Sequence, residues 1–243
     1  MTDSPFKNTV LRHLPADSIE RLQLSPLQLQ GEHVIETPGS EIRKLYFLEE
    51  GCGSMTTMFK DGFQVEATLF GNEAVIGASA LIGTKRSLNH IYMQIPGHGF
   101  ISNIKVAAQE FRTCERFRDI VLRYVQAQLM QTAQTAGCNA RHDAMQRMSR
   151  WLLLCADRVY SNELGLTHEF LGHMIGVRRS TASVTAEELQ RRGYIDYRRG
   201  KIKILDRSGL EETACECYRV VKEHLENYHE VETIFGTTVD SAA

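Results

Sequence analysis

The chain has 243 residues, 42% of them hydrophobic and 24% charged, with a formal net charge of −2 at pH 7. This composition excludes a disordered chain, a collagen-like repeat and a low-complexity fibre, and the length suits one or two domains with cores of their own. The longest continuous apolar stretch, Trp151–Ala156, falls far short of the ~20 residues of a membrane span. No apolar h-region opens the N-terminus, and six scattered cysteines lack the rhythm of a disulfide framework. A cytoplasmic protein with reduced thiols and no membrane partner is expected.

The first third reads as β. Glu32–Thr37, Lys44–Leu48, Met55–Phe59 and Phe63–Leu69 are short segments rich in strand formers. Lys60-Asp61-Gly62 lies between two of them as a hairpin loop, and Pro38-Gly39, Gly51–Gly53 and Pro96-Gly97 are read as further turns. Ile91, Met93 and Ile95 alternate with Tyr92 and Gln94, as in a half-buried strand. Short strands with frequent turns predict a small barrel or jelly-roll over residues 1–110.

After about residue 105 the pattern becomes helical: Lys105–Val159 holds no proline and one glycine, Gly137. Leu122, Val125, Leu129, Thr132 and Ala136 recur at 3-4-3-4 spacing, a short coiled-coil-like seam. A second face carries Phe117, Val121 and Tyr124. One face would pack on the β domain while the seam, with Leu122, Val125, Leu129 and Thr132 as its contacts, pairs with a second copy. The dimerisation helix is placed at 111–137, ended by Gly137. A second helix then runs to about Tyr160 on a stripe of Met145, Met148, Trp151, Leu152 and Cys155.

Charge concentrates farther along. Between Arg178 and Arg207 stand nine basic and four acidic residues, so this window is strongly positive while the rest of the chain is negative. A small basic segment on an acidic protein suits a local polyanion contact. Within it, T-H-E-F-L-G-H-M-I-G-V-R-R-S-T-A-S-V-T-A-E-E-L begins at Thr167, a good N-cap. Gly176 supplies a turn, and a second helix runs from near Arg178 to Gly193. Gly172 stands four residues before Gly176, where crossing helices need a very small side chain. Leu171, Ile175, Val177, Ala182, Ala186 and Leu189 form the packing set, which leaves Arg179, Ser180 and Ser183 outside. That is the pattern of a helix-turn-helix, and an arginine at the start of its second helix can pair with guanine in the major groove. Tyr194–Tyr197, the turn Arg198-Arg199-Gly200 and Lys201–Leu205 then read as a basic-tipped wing for the phosphate backbone. The function expected is therefore binding of double-stranded DNA by residues 138–243.

The order of parts resembles the CRP/FNR family of bacterial transcription regulators. The resemblance rests on L-F-G-N-E-A-V-I-G at 69–77, L-T-H-E-F-L-G-H-M-I-G-V-R-R at 166–179 and G-Y-I-D-Y-R-R-G-K-I-K-I-L-D at 193–206. It implies an α+β chain: an N-terminal cyclic-nucleotide-binding-like β-roll, a long dimerisation helix and a C-terminal winged helix-turn-helix. It further implies a homodimer reading a palindromic operator, with RNA polymerase and an unidentified small-molecule effector as candidate partners. By position, Thr167 and His168 would contact phosphate and Arg179 would read a base. Arg178, Ser180, Ser183, Arg199 and Lys201 complete the expected DNA set. Ser180 stands where many members have glutamate, and Val184 occupies a further base-contacting position, so a different operator is implied.

In the effector domain, Gly71 and Glu73 resemble the turn that holds a ribose, and Arg86-Ser87 the pair that holds a cyclic phosphate. Either Asn72 stands in the glutamate position or Glu73 is displaced by one, and Leu88 and Asn89 follow Ser87 where the signature has alanine, so the ligand is read as unknown or lost. A cyclic-nucleotide-responsive regulator, and a ligand-binding regulator without DNA binding, are the alternatives. The iron–sulfur form of the family needs cysteines ahead of the β-roll, and none precedes Cys52. Cys215 and Cys217, if helical, would point ~200° apart, so no metal site and no cofactor are expected. The absence of P-loop, H-E-x-x-H, G-x-S-x-G and G-x-G-x-x-G motifs argues against an enzyme.

Overall fold

The structure, a computed structural model, describes residues 4–166 and 168–230. Two short helices come first, α1 (Thr9–Arg12) and α2 (Ala16–Arg21). Asn8 starts α1 by accepting the Val10 and Leu11 amides on its side-chain oxygen. Strands β1 (Ser25–Leu29), β2 (Val34–Glu36), β3 (Lys44–Met58), β4 (Gln64–Phe70) and β5 (Val75–Ile76) follow, then the single turn α3 (Ser79–Ile82) and β6 (His90–Asn103). All pair antiparallel in one sheet ordered β1-β6-β3-β4, with β2 also on β6 and β5 on β3. This is the β-roll, its interior filled by Leu45, Phe47, Phe70, Ile76 and Met93.

Two expected turns are not turns. Gly51–Gly53 lies within the 15-residue β3, and Pro96-Gly97 within the 14-residue β6. The pairing of these strands slips repeatedly between Leu48 and Gly53, so both bend while staying paired. Glycine is required there for close approach: a Cβ on Gly51, whose φ is +104°, would sit 2.9 Å from the Gly97 Cα, and one on Gly97 would overlap the Glu50 carbonyl. The hairpin at Lys60-Asp61-Gly62 and the turn at Pro38-Gly39 do form, with φ of +84° at Gly62 and +81° at Gly39.

Helices α4 (Ile104–Thr113), α5 (Glu115–Arg141) and α6 (Ala144–Val159) come next. Gly137 does not end α5, which continues for one more turn. A glycine inside a helix costs only about 1 kcal/mol relative to alanine. The stop is set instead by Asp143, which forms a reciprocal capping box with Gln146 and so begins α6. Phe117, Val121 and Tyr124 are buried, whereas Leu122 and Leu129 are 44% and 70% exposed. The α6 stripe is buried at Met148, Trp151, Leu152 and Cys155, with Met145 half-buried.

The rest comprises β7 (Glu163–Gly165), α7 (His168–Met174), α8 (Arg179–Arg191), β8 (Ile195–Arg198), β9 (Lys201–Ile204), α9 (Arg207–Thr213) and α10 (Cys217–Asn227). Strands β7, β9 and β8 make a second, three-stranded sheet. Cys215 lies outside any helix, before α10, so the 200° separation expected of Cys215 and Cys217 does not apply. Among the described residues no helix is long and apolar enough to cross a membrane.

Helices α6 and α7 pack directly on the β-roll. Trp151 Nε1 donates to Glu66 Oε1 at 3.0 Å, Ser54 Oγ donates to Glu66 Oε2 at 2.6 Å, and Met174 Sδ lies 3.9 Å from Ser54 Oγ. Burial pushes the Glu66 carboxyl up to about 8, against the opposing effects of the Ser54 hydroxyl, Arg150, Trp151 and Arg158. Nearby, Arg158 Nη2 meets Glu73 Oε1 at 2.8 Å, with side chains 5% and 9% exposed.

Candidate nucleic-acid interface

The α7–α8 turn is built from its glycines. Gly176 has φ +66°, a left-handed conformation that glycine adopts at little cost. A Cβ on Gly172 would lie 2.8 Å from the Val177 carbonyl oxygen, so the helices cross where only a hydrogen fits. Leu171, Ile175, Ala182, Ala186 and Leu189 are buried beneath them, and Val177 is half-buried. The 3-1-3 spacing of Ala182, Thr185, Ala186 and Leu189 puts the buried stripe of α8 on one side. Arg179, Ser180 and Val184 are exposed, and Ser183 is half-buried.

Arg178 is the N-cap residue of α8, with extended backbone at φ −65° and ψ 150°, and Arg179 is the first helical residue. The helix therefore starts one residue after Arg178, in line with the expected start near that residue. His168 opens α7, and Thr167 lies outside the described residues.

The wing is a tight hairpin. Arg199 and Gly200 have φ of +50° and +74°, the mirror-image turn whose twist matches an antiparallel pair. Gln190 of α8 accepts the Tyr197 backbone N–H at 2.7 Å, and the Tyr197 hydroxyl donates to the Leu166 carbonyl at 3.1 Å. The wing is thereby fixed to the second helix and to the strand that precedes the first.

Partners sort the nine basic residues of this segment into two groups. Arg191 and Arg192 both pair with Glu188, holding that carboxyl down to about 2. Arg198 pairs with Asp196, Lys203 with Glu163, and Arg207 with Asp157 and Glu211. Among the described residues Arg178, Arg179, Arg199 and Lys201 have no ion-pair partner, and all four are exposed. Two flank the start of α8 and two flank the wing tip.

The effector candidates are not assembled into one site. Glu73 is held by Arg158 and accepts the Gly71 amide at 3.2 Å, so both belong to the contact with α6. Arg86 is exposed and donates to the Gly39 carbonyl at 2.7 Å; Ser87 is buried and hydrogen-bonded to Glu36. A cleft of about 280 Å³ does open between the β-roll and α5, lined by Val75, Ile76, Ile91, Val125, Leu129 and Thr132 among others. None of Gly71, Glu73, Arg86 and Ser87 lines it, and Glu36 is the one charged residue among its described lining. Among the described lining residues there is no cation to hold a cyclic phosphate.

The fold and this site define a winged helix-turn-helix DNA-binding protein with a β-roll ahead of it. Residues 146–213 match the Crp-like helix-turn-helix domain family. The chain is similar to the global nitrogen regulator of Nostoc sp., 22% identical over 177 residues that cover 69% of this chain and 79% of that one. Its fold is that of a putative crp/fnr-family transcriptional regulator from Eubacterium rectale, with a TM-score of 0.67, 16% identity, and coverage of 84% of this chain and 97% of the other. It is also that of FixK2 from Bradyrhizobium japonicum, with a TM-score of 0.67, 14% identity, and coverage of 79% and 98%. Residues 146–213 thus carry a Crp-like helix-turn-helix domain, and the chain shares the fold of CRP/FNR-family regulators.

Proposed function

We propose that the chain works as a homodimer that reads a palindromic operator, and that Arg179 is its base-reading residue. The observation that carries this reading is the sorting of cations: the four of this segment without an ion-pair partner among the described residues are those at the start of α8 and at the wing tip. An exposed cation without a carboxylate is free to displace counterions from phosphate. Arg178, extended at the cap, contacts the DNA backbone, as do Arg199 and Lys201, and Thr167 and His168 contact phosphate. Ser180 and Ser183 stand on the α8 surface that enters the groove, with the exposed Val184 beside them. The domains of this reading are 1–110 for the effector domain, 111–137 for the dimerisation segment and 138–243 for DNA binding.

Dimerisation rests on the exposed Leu122 and Leu129, with Val125 and Thr132 on the same side of α5. A second α5 against this seam would also close the cleft that Val125, Leu129 and Thr132 line. The effector in this reading is a small, largely apolar molecule rather than a cyclic nucleotide.

Binding-site selection on random DNA tests the assignment, with solution mass measured on the same protein. A dimer should select a palindrome with half-sites about one helical turn apart. Arg179→Ala should weaken binding by ~1–3 kcal/mol per half-site and relax preference at one symmetric position. Full wild-type preference in Arg179→Ala, together with its loss in Arg178→Ala, would exchange the two roles. A strict monomer that binds DNA tightly would sink the dimer.

A further inference from the structure

Residues far apart in sequence converge at the C-terminal end of α5. Cys138 and His142 are four residues apart, so they share one side of that end of the helix. Cys215, before α10, and Cys217, its first residue, come to the same place. One potential ligand atom from each of the four lies within 4.8 Å of the others. Cys138 Sγ is 3.5 Å from Cys215 Sγ, and Cys217 Sγ is 3.6 Å from His142 Nδ1. All three cysteines are buried, and they form a cluster of their own apart from the main hydrophobic core.

We propose that Cys138, His142, Cys215 and Cys217 bind a single zinc ion, stapling the end of α5 to the start of α10. The spacing carries the assignment. With zinc–sulfur bonds of about 2.3 Å and zinc–nitrogen bonds of about 2.0 Å, the edges of a tetrahedral site are about 3.8 Å between sulfurs and about 3.5 Å from sulfur to nitrogen. The 3.5 and 3.6 Å separations already stand at that scale. A disulfide would need its sulfurs about 2.05 Å apart, and all six cysteines are free.

The surroundings suit the ion as well. Glu216 lies 3.2 Å from His142 Nε2, so the outer nitrogen has a carboxylate partner while Nδ1 faces the thiols. That arrangement fixes ring and tautomer in histidine metal sites. Gln134, one turn before Cys138, donates to Cys217 Sγ at 3.0 Å, a hydrogen bond that favours a thiolate. Three thiols and one imidazole select zinc over the oxygen-seeking magnesium and calcium. On binding, each coordinating thiol releases its proton to solvent, and the imidazole coordinates as the neutral base. The ion would join the helix that carries the dimer seam to the last described helix, at the point where α5 hands over to α6.

The test uses the full-length protein, stripped with chelator under reductant and titrated with cobalt(II) alone. The expected result is the intense visible spectrum of tetrahedral, thiolate-bound cobalt, saturating at one equivalent and abolished by one equivalent of zinc. Cys138→Ser and Cys217→Ser should lose the spectrum, whereas Cys114→Ser, outside the cluster, should keep it. Circular dichroism identifies any variant that has failed to fold, and the wild-type titration stands without the variants. Saturation at no definite stoichiometry, or the weak spectrum of six-coordinate cobalt, would overturn the site. So would a Cys138–Cys215 disulfide in a chain whose reduced form takes up no metal. Because the readout is metal uptake, its outcome is independent of whether the protein binds DNA.

Discussion

The winged helix and the contact between α6 and the β-roll handle charge in opposite ways. Around α8 and the wing, four cations stand in solvent with no ion-pair partner among the described residues, and the residues that place them lie close together in sequence. Between α6 and the β-roll the charged groups are buried and matched across 85 residues: Arg158 with Glu73, and the Trp151 indole on Glu66. The first arrangement leaves charge free for an external polyanion at little cost, since exposed cations keep their hydration. The second removes charge from water, where it is tolerable only when paired or neutralised. One region is therefore built for binding and the other for holding the two halves together.

Substitutions at the buried contact should have the largest effects. Glu73→Ala leaves the Arg158 guanidinium buried with the Leu154 carbonyl as a remaining acceptor, and should lower stability by about 3–5 kcal/mol. A urea midpoint close to wild type would show that the contact is wetter than its geometry indicates.

Glu66 gives a dependence on pH with a definite sign. Its folded-state pKa of about 8 lies above the ordinary 4.5, so the folded protein binds a proton that the unfolded chain releases between these values. The stabilisation is fully present below about pH 4.5 and is lost as pH rises through 8, by up to about 1.4 kcal/mol per pH unit. Arg150 and Arg158 of α6 oppose the shift, while Tyr92 and Cys155 are the other titratable groups that feel this carboxyl. Thermal midpoints measured across that window should fall with pH in the wild type, and the Glu66 contribution should be missing in Glu66→Gln. Identical profiles would refute the assignment.

The smallest effect is expected at the paired surface cations. Arg191→Ala leaves Glu188 with Arg192, so neither the unfolding midpoint nor DNA affinity should change measurably. A clear loss of DNA affinity would break the division between paired and unpaired cations.

What could be read from the sequence follows the same division. The helix-turn-helix was legible because its signals are local: Gly172 and Gly176 at the crossing, apolar positions at helical spacing, and an Arg-Gly turn at the wing. Gly51–Gly53 and Pro96-Gly97 misled because glycine there serves the close approach of two strands, a requirement set by a partner more than 40 residues away. Gly137 misled although the true stop was readable nearby, in the D-A-M-Q of the Asp143 capping box. Glu73 looked like a ligand-binding residue, but its buried partner Arg158 lies on another element. The cysteine cluster was half legible. Cys138 and His142 stand at same-face spacing, but only the fold brings Cys215 and Cys217 to them.

Contact of DNA with the cations that lack an ion-pair partner among the described residues is decided by the salt dependence of binding to one operator. Wild type should be compared with Arg199→Ala/Lys201→Ala and with Arg191→Ala/Arg192→Ala. Each phosphate contact contributes a slope of about −0.9 in the log–log plot, so removing the wing-tip pair from both subunits of the dimer should flatten the slope by roughly 3.6, whereas the Glu188-paired double variant should keep the wild-type slope. Equal flattening in both variants, or none in the wing-tip variant, would contradict the account.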